Sequence, residues 1–156
     1  MRVTSILQRF TPWLCALVVA GCASCPYTVP VDNLTVTLER GACFGQCPTY
    51  TAMIFGDGTI RFTGINNAEL VGEHKGSLSP EDMCTLLKAI DGARYFDFER
   101  TYGLALPDAP RTMLTISWDR RRNSVQRWVG GPPEFSALVE TIDSLVRQRG
   151  FIATRP

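Results

Sequence analysis

The sequence predicts an α+β domain: an antiparallel sheet built from hairpins, with two amphipathic helices packed on one face. Three observations predict it. Short runs alternate apolar and polar residues and meet at tight turns, around 49–63 and 113–130. Two longer segments, around 79–92 and 132–150, repeat apolar residues at helical spacing. The order is strands, helix, strands, helix, which favours antiparallel sheet over alternating parallel units. Each helix needs one apolar surface, and a single sheet supplies it.

The elements follow in order. Leu34, Val36 and Leu38 alternate with Thr35, Thr37 and Glu39, giving a half-buried strand over 34–40. A loop, GACFGQCP, precedes a hairpin: strand 49–55, a Gly-Asp-Gly turn at 56–58, strand 59–63. A further strand is expected across 70–78, where alternation is weak. Ser79 is a good N-cap, Pro80 fits the first helical position, and Glu81 and Asp82 favour the positive helix end. Met83, Leu86, Leu87 and Ile90 form one apolar face, closed by Gly92. Residues 97–111 read as irregular. A second hairpin follows, 113–118 and 124–130, with DRRRN as its tip. The last helix starts at its prolines and ends at Gly150. Its stripe is Phe135, Leu138, Val139, Ile142, Leu145 and Val146, with Asp143 and Arg147 placed to pair at i, i+4 on its edge.

The chain has 156 residues, the size of one domain. Its 45% hydrophobic and 20% charged residues are ordinary globular composition. Sixteen basic against fifteen acidic residues exclude a generic nucleic-acid binder. No apolar run reaches the roughly 20 residues of a membrane-spanning helix.

Arg2 and Arg9 are the only charges before Asp32, and residues 10–21 form a short apolar stretch with small residues at its end. That describes an export signal over 1–21. Val19-Ala20-Gly21-Cys22 resembles the lipobox of bacterial lipoproteins. The resemblance implies that Cys22 takes a diacylglyceryl group and palmitate-type acyl chains and that 1–21 is removed; apart from this covalent lipid no cofactor is expected. Two or three acyl chains hold stably where one is reversible. Ala23 and Ser24 follow; without an Asp there, the resemblance implies an outer-membrane anchor facing the periplasm. Losing Arg2 and Arg9 leaves fourteen basic against fifteen acidic groups. Residues 22–33, with Pro26 and Pro30, read as a lipidated tether, and 34–150 as the domain.

The run Gly41-Ala42-Cys43-Phe44-Gly45-Gln46-Cys47-Pro48-Thr49-Tyr50, followed by Gly56-Asp57-Gly58, resembles a bacterial domain of unknown function. Its members carry G-x-C-F-G-x-C-P-x-Y, a G-D-G hairpin and a Ser-Pro-Glu helix, across about 34–148 here. The resemblance implies fold and an exported location only, since the family has no established activity to carry over. Cys25 and Cys84 fall outside the pattern.

Six cysteines include Cys15 in the signal and Cys22 at the lipobox. In an oxidising compartment Cys43 and Cys47 are expected to pair, with Gly45 able to take the positive φ of so tight a ring. Cys84, beside Met83 and Leu87, reads as a small buried hydrophobe. The alternative for Cys43 and Cys47 is thiol or copper handling. A C-x3-C-P run is similar to the copper loop of Sco-type assembly proteins, with His74 or a Met as third ligand. Here strands flank the loop in place of a thioredoxin-like pattern.

His74 reads as a solvated side chain, and Asp97 with Glu99 as a solvated edge. No catalytic motif occurs; the expected role is a non-enzymatic binding or structural module with an envelope protein or glycan as partner, the remaining alternative being an enzyme with residues of no recognised pattern, which would show a deep pocket with convergent polar groups. Arg120, Arg121 and Arg122 form the densest charge cluster, with Trp118 and Trp128 flanking the turn. They are a candidate surface for anionic partners.

Overall fold

The structure, a computed structural model, describes residues 25–106 and 109–153. The expected signal 1–21 and lipidated Cys22 lie outside the described residues. The strands are β1 (Thr35–Arg40), β2 (Thr49–Phe55), β3 (Thr59–Asn66), β4 (Gly72–Ser77), β5 (Thr101–Tyr102), β6 (Thr112–Trp118) and β7 (Arg121–Arg127). The helices are α1 (Pro80–Gly92) and α2 (Pro133–Gln148). One sheet holds all seven strands in the order β4-β3-β2-β1-β6-β7-β5.

The sheet is mostly antiparallel, not wholly so. β5, in a stretch read as irregular, runs parallel to β7, with Thr101 opposite Gln126 and Tyr102 opposite Arg127. It is reached by a crossover from α1, so no hairpin forces its direction.

Alternation along the strands decides what is buried. Val36 and Leu38, Tyr50, Ala52 and Ile54, Ile60 and Phe62, Leu114 and Ile116, and Val125 join one cluster. Met83, Leu86, Leu87 and Ile90 of α1 enter it at helical spacing, as do Phe135, Leu138, Val139 and Ile142 of α2. Ser79 caps α1 as expected: its hydroxyl accepts from the Asp82 N–H, and the Asp82 carboxylate accepts from the Ser79 N–H, both at 3.1 Å. Asp82 also pairs with Arg149 just beyond α2, which ties the two helices.

Three boundaries differ from the sequence reading. The expected tether 22–33 is docked from Cys25 onward. Cys25 is disulfide-bonded to Cys84, so Cys84 is buried as expected but is no free thiol. The Tyr27 hydroxyl donates to Asp91 at 3.1 Å, and its ring meets Trp118 edge-on at 5.9 Å. The Val31 N–H donates to the Gly56 carbonyl at 2.9 Å. A Cβ on Gly56 would lie 1.7 Å from the Val31 carbonyl oxygen, so only glycine admits the segment there. At the other terminus the core continues past 150. Phe151 and Ile152 are buried, and Phe151 stacks on Phe62 with centroids 4.9 Å apart. The last hairpin turns at Asp119-Arg120 alone, and Arg121 and Arg122 already belong to β7.

Candidate functional site

Strand parity brings polar side chains to one end of the sheet. Arg40 follows Leu38 on the inward side of β1, and Arg127 follows Val125 on β7. Tyr50 and Thr112 begin the inward rows of β2 and β6. The register sets Tyr50 opposite Arg40, Arg40 opposite Thr112, and Thr112 opposite Arg127. These four therefore form a row across four strands, and α2 adds Asp143 and Arg147.

Asp143 is 2% exposed and Thr112 3%, so both need partners inside the fold. The Tyr50 hydroxyl donates to Asp143 Oδ1. Arg40 Nη2 lies 3.1 Å from Asp143 Oδ2, and Arg40 Nη1 donates to Thr112 Oγ1 at 2.8 Å. Burial pushes the Asp143 carboxyl up, against the pull of Arg40. Burial also pushes the Tyr50 hydroxyl well above its ordinary range, helped by the Asp143 charge. The expected Asp143–Arg147 edge pair does not form. Asp143 faces inward to Arg40, while Arg147 meets Glu140 at 3.6 Å. Arg127 Nη1 donates to Ser136 Oγ at 2.5 Å, and its guanidinium lies 5.2 Å over the Phe135 ring.

Above this row opens a cleft of about 670 Å³. The loop from Cys43 to Pro48 forms one wall; Arg111, Trp128 and Arg147 line others. Cys43 and Cys47 are disulfide-bonded, with Gly45 between them at φ 143°. Phe44 is 90% exposed on this loop.

The structure sorts the other candidates. His74 sits on β4 opposite Phe62, and its Nε2 lies 3.0 Å from the Val71 carbonyl oxygen. It does not line the cleft, because β4 is the edge strand and lies two strands from β2, which follows the 43–47 loop. Among the described residues no three His, Cys, Asp or Glu side chains gather as a metal site. Asp97 is exposed and pairs with Arg94 at 2.8 Å.

The expected surface of Arg120, Arg121, Arg122, Trp118 and Trp128 is split. Trp118 lies opposite Arg121 beside the turn, whereas Trp128 follows Arg127 at the far end of the same hairpin. Their separation is the length of β7. Trp128 goes with the cleft. Trp118 goes with Tyr27, and Arg121 stacks on Phe96 at 4.2 Å.

A family model described as a domain of unknown function (DUF6438) matches residues 34–146. The chain belongs to this family. The match runs from β1 through most of α2, so it contains the disulfide loop, the inward row and Asp143. Cys25 and the docked segment before β1 lie outside it. No curated protein matches the chain.

Sequence spacing points to Cys43 and Cys47 but not to Arg40, Tyr50, Arg127 or, as cleft groups, Asp143 and Arg147. The signal was there: Arg40 and Arg127 continue inward apolar rows, and Asp143 falls on the apolar stripe of its helix, four residues after Val139.

Proposed function

We propose that this family member is a lipid-anchored, non-enzymatic binding module of the bacterial cell envelope. Cys22 carries the lipid, the outer membrane holds it, and the domain faces the periplasm. The cleft beside the Cys43–Cys47 loop receives an envelope protein or glycan.

The observation that carries this reading is the separation of two ends of β1. At its start, Val31 and Leu34 bond to Gly56 at the β2–β3 turn, where the docked N-terminal segment lies. At its end, Arg40 lines the cleft. Six strand residues separate them by about 20 Å. Cys25, bonded to Cys84, stands three positions after Cys22. An anchor at Cys22 would therefore hold the domain close to the bilayer with the cleft directed away from it. The chain of contacts from Tyr50 through Asp143 and Arg40 to Thr112 suits holding a shape more than moving a proton.

The test is fractionation of cells expressing the wild-type chain and Cys22→Ser. The wild type is expected in the outer-membrane fraction, resistant to salt extraction, and the variant as an unprocessed precursor. Wild-type protein recovered as a free periplasmic chain would refute the anchor.

A further inference from the structure

The cleft is rich in guanidinium groups and short of carboxylates. Arg40, Arg111, Arg127 and Arg147 line it, against Asp143 alone. Asp143 is engaged by Arg40 and Tyr50. Arg111 turns to Glu39 and Arg147 to Glu140, each at 3.6 Å, and both carboxylates lie outside the lining. Arg127 has a serine hydroxyl and a phenyl face as its neighbours, and among the described residues no carboxylate forms an ion pair with it. The Nε atoms of Arg127 and Arg147 are both buried and have no hydrogen-bond partner. Buried donors without acceptors are costly and in native proteins mark a place where a water or ion belongs. The same Arg127 guanidinium is disfavoured by burial and by the like charge of Arg40.

From this geometry we infer that the cleft is an anion site, in which Arg127 and Arg147, backed by Arg40, grip a phosphate or carboxylate group of the ligand. A planar guanidinium offers paired N–H donors that match either oxyanion. A bound oxyanion supplies acceptors to these guanidinium groups and screens Arg40 from Arg127. Arg40 is a positioning residue here: Asp143 and Thr112 hold it, so its charge stays fixed at the cleft floor. Trp128, on the same lining, gives an apolar wall for the body that carries the charged group. This inference deepens the binding-module reading and rests on it for the ligand's source, though not for the site itself.

The experiment uses the full chain purified from membranes in a non-ionic detergent. Inorganic pyrophosphate and citrate are the two probes, with sodium chloride at matched ionic strength as control. Thermal unfolding and the arginine Nε–Hε resonances are the readouts. The inference expects a rise in Tm from at least one probe beyond chloride, with a Kd of about 1 mM or tighter. The Arg127 and Arg147 resonances should move, while that of Arg122 should not. Pyrophosphate alone acting would mark a phosphate ligand, and citrate alone a carboxylate. Arg127→Gln and Arg147→Gln should each weaken binding about tenfold or more, with Arg127→Lys in between. No rise beyond chloride, or equal rises in the wild type and both Gln variants, would overturn the site. If the Gln variants do not fold, unmoved Arg127 and Arg147 resonances in the wild type overturn it. Either failure leaves the anchored module standing, because membrane fractionation does not depend on the cleft.

Discussion

The Tyr50 hydroxyl donates to the Asp143 carboxylate across 93 positions of chain, joining β2 to α2. Tyr50 is the last residue of the G-x-C-F-G-x-C-P-x-Y run. Its ring lies in the core, 5.3 Å from Phe62. The motif therefore does two things at once: its cysteines shape a loop, and its tyrosine fastens that loop's base to the helix beneath the cleft.

Tyr50→Phe keeps the ring and removes one donor. Asp143 then keeps Arg40 but loses its second partner in a nearly dry site. The variant is predicted to lose about 1–3 kcal/mol, the usual range for leaving a buried group unsatisfied. Urea unfolding reads this directly. A loss within a few tenths of a kcal/mol would mean that water replaces the hydroxyl.

Asp143 also predicts a pH dependence. Its folded-state pKa lies above the ordinary 3.8, so the folded chain binds this proton more readily than the unfolded chain. Its contribution to stability is then fully present at low pH and is lost as pH rises through the raised value. Asp143→Asn lacks the group. The stability of the wild type relative to the variant is predicted to decline as pH rises above about 3.8. A difference that grows over that range would show that Arg40 outweighs burial.

The two disulfides are predicted to differ in weight. Cys25–Cys84 spans 59 positions and Cys43–Cys47 spans 4. By loop entropy, losing the first costs about 4 kcal/mol and losing the second about 2. Denaturant midpoints of the two Ser double variants test this. Equal losses would mean that contacts such as Tyr27–Trp118 hold the docked segment without its bridge.

What was legible in the sequence was local. Hairpins were readable because alternation and a Gly-Asp-Gly turn act within a few residues. The capping of α1 was readable because Ser79 and Asp82 are three apart. What was missed depends on contacts between distant segments. β5 is two residues long, and only its place beside β7 makes it a strand. A Pro-containing segment looks like a tether until Gly56 is seen to admit it. Four cysteines allow three connectivities, and spacing favours only the nearest pair. The cleft arginines at 40, 127 and 147 lie on three separate elements. The triplet at 120–122 stood out by being contiguous, although Arg121 and Arg122 alternate sides of a strand.

The arginine turn is predicted to act at the membrane. Trp118, beside that turn, contacts Tyr27, two positions after the clamped Cys25. Arg120, Arg121 and Arg122 are exposed at that end. Each basic group near an anionic bilayer contributes about 1 kcal/mol. Replacing all three by Ser in an unlipidated chain that begins at Ala23 should weaken binding to vesicles containing anionic lipid, most clearly at low salt. Vesicle binding that is absent at low salt, or unaffected by the triple change, would leave the cluster a solvated turn.

The central claim is that Cys22 carries the lipid while Cys25, three positions on, clamps the domain. Intact-mass analysis of the mature chain, extracted from membranes without reductant and treated with an alkylating agent, tests both parts together. The account predicts a chain beginning at Cys22 that carries diacylglyceryl and an amide-linked acyl group, with no alkylation at Cys25, Cys43, Cys47 or Cys84. A chain that begins elsewhere and bears no lipid, or one alkylated at Cys25 and Cys84, would contradict it.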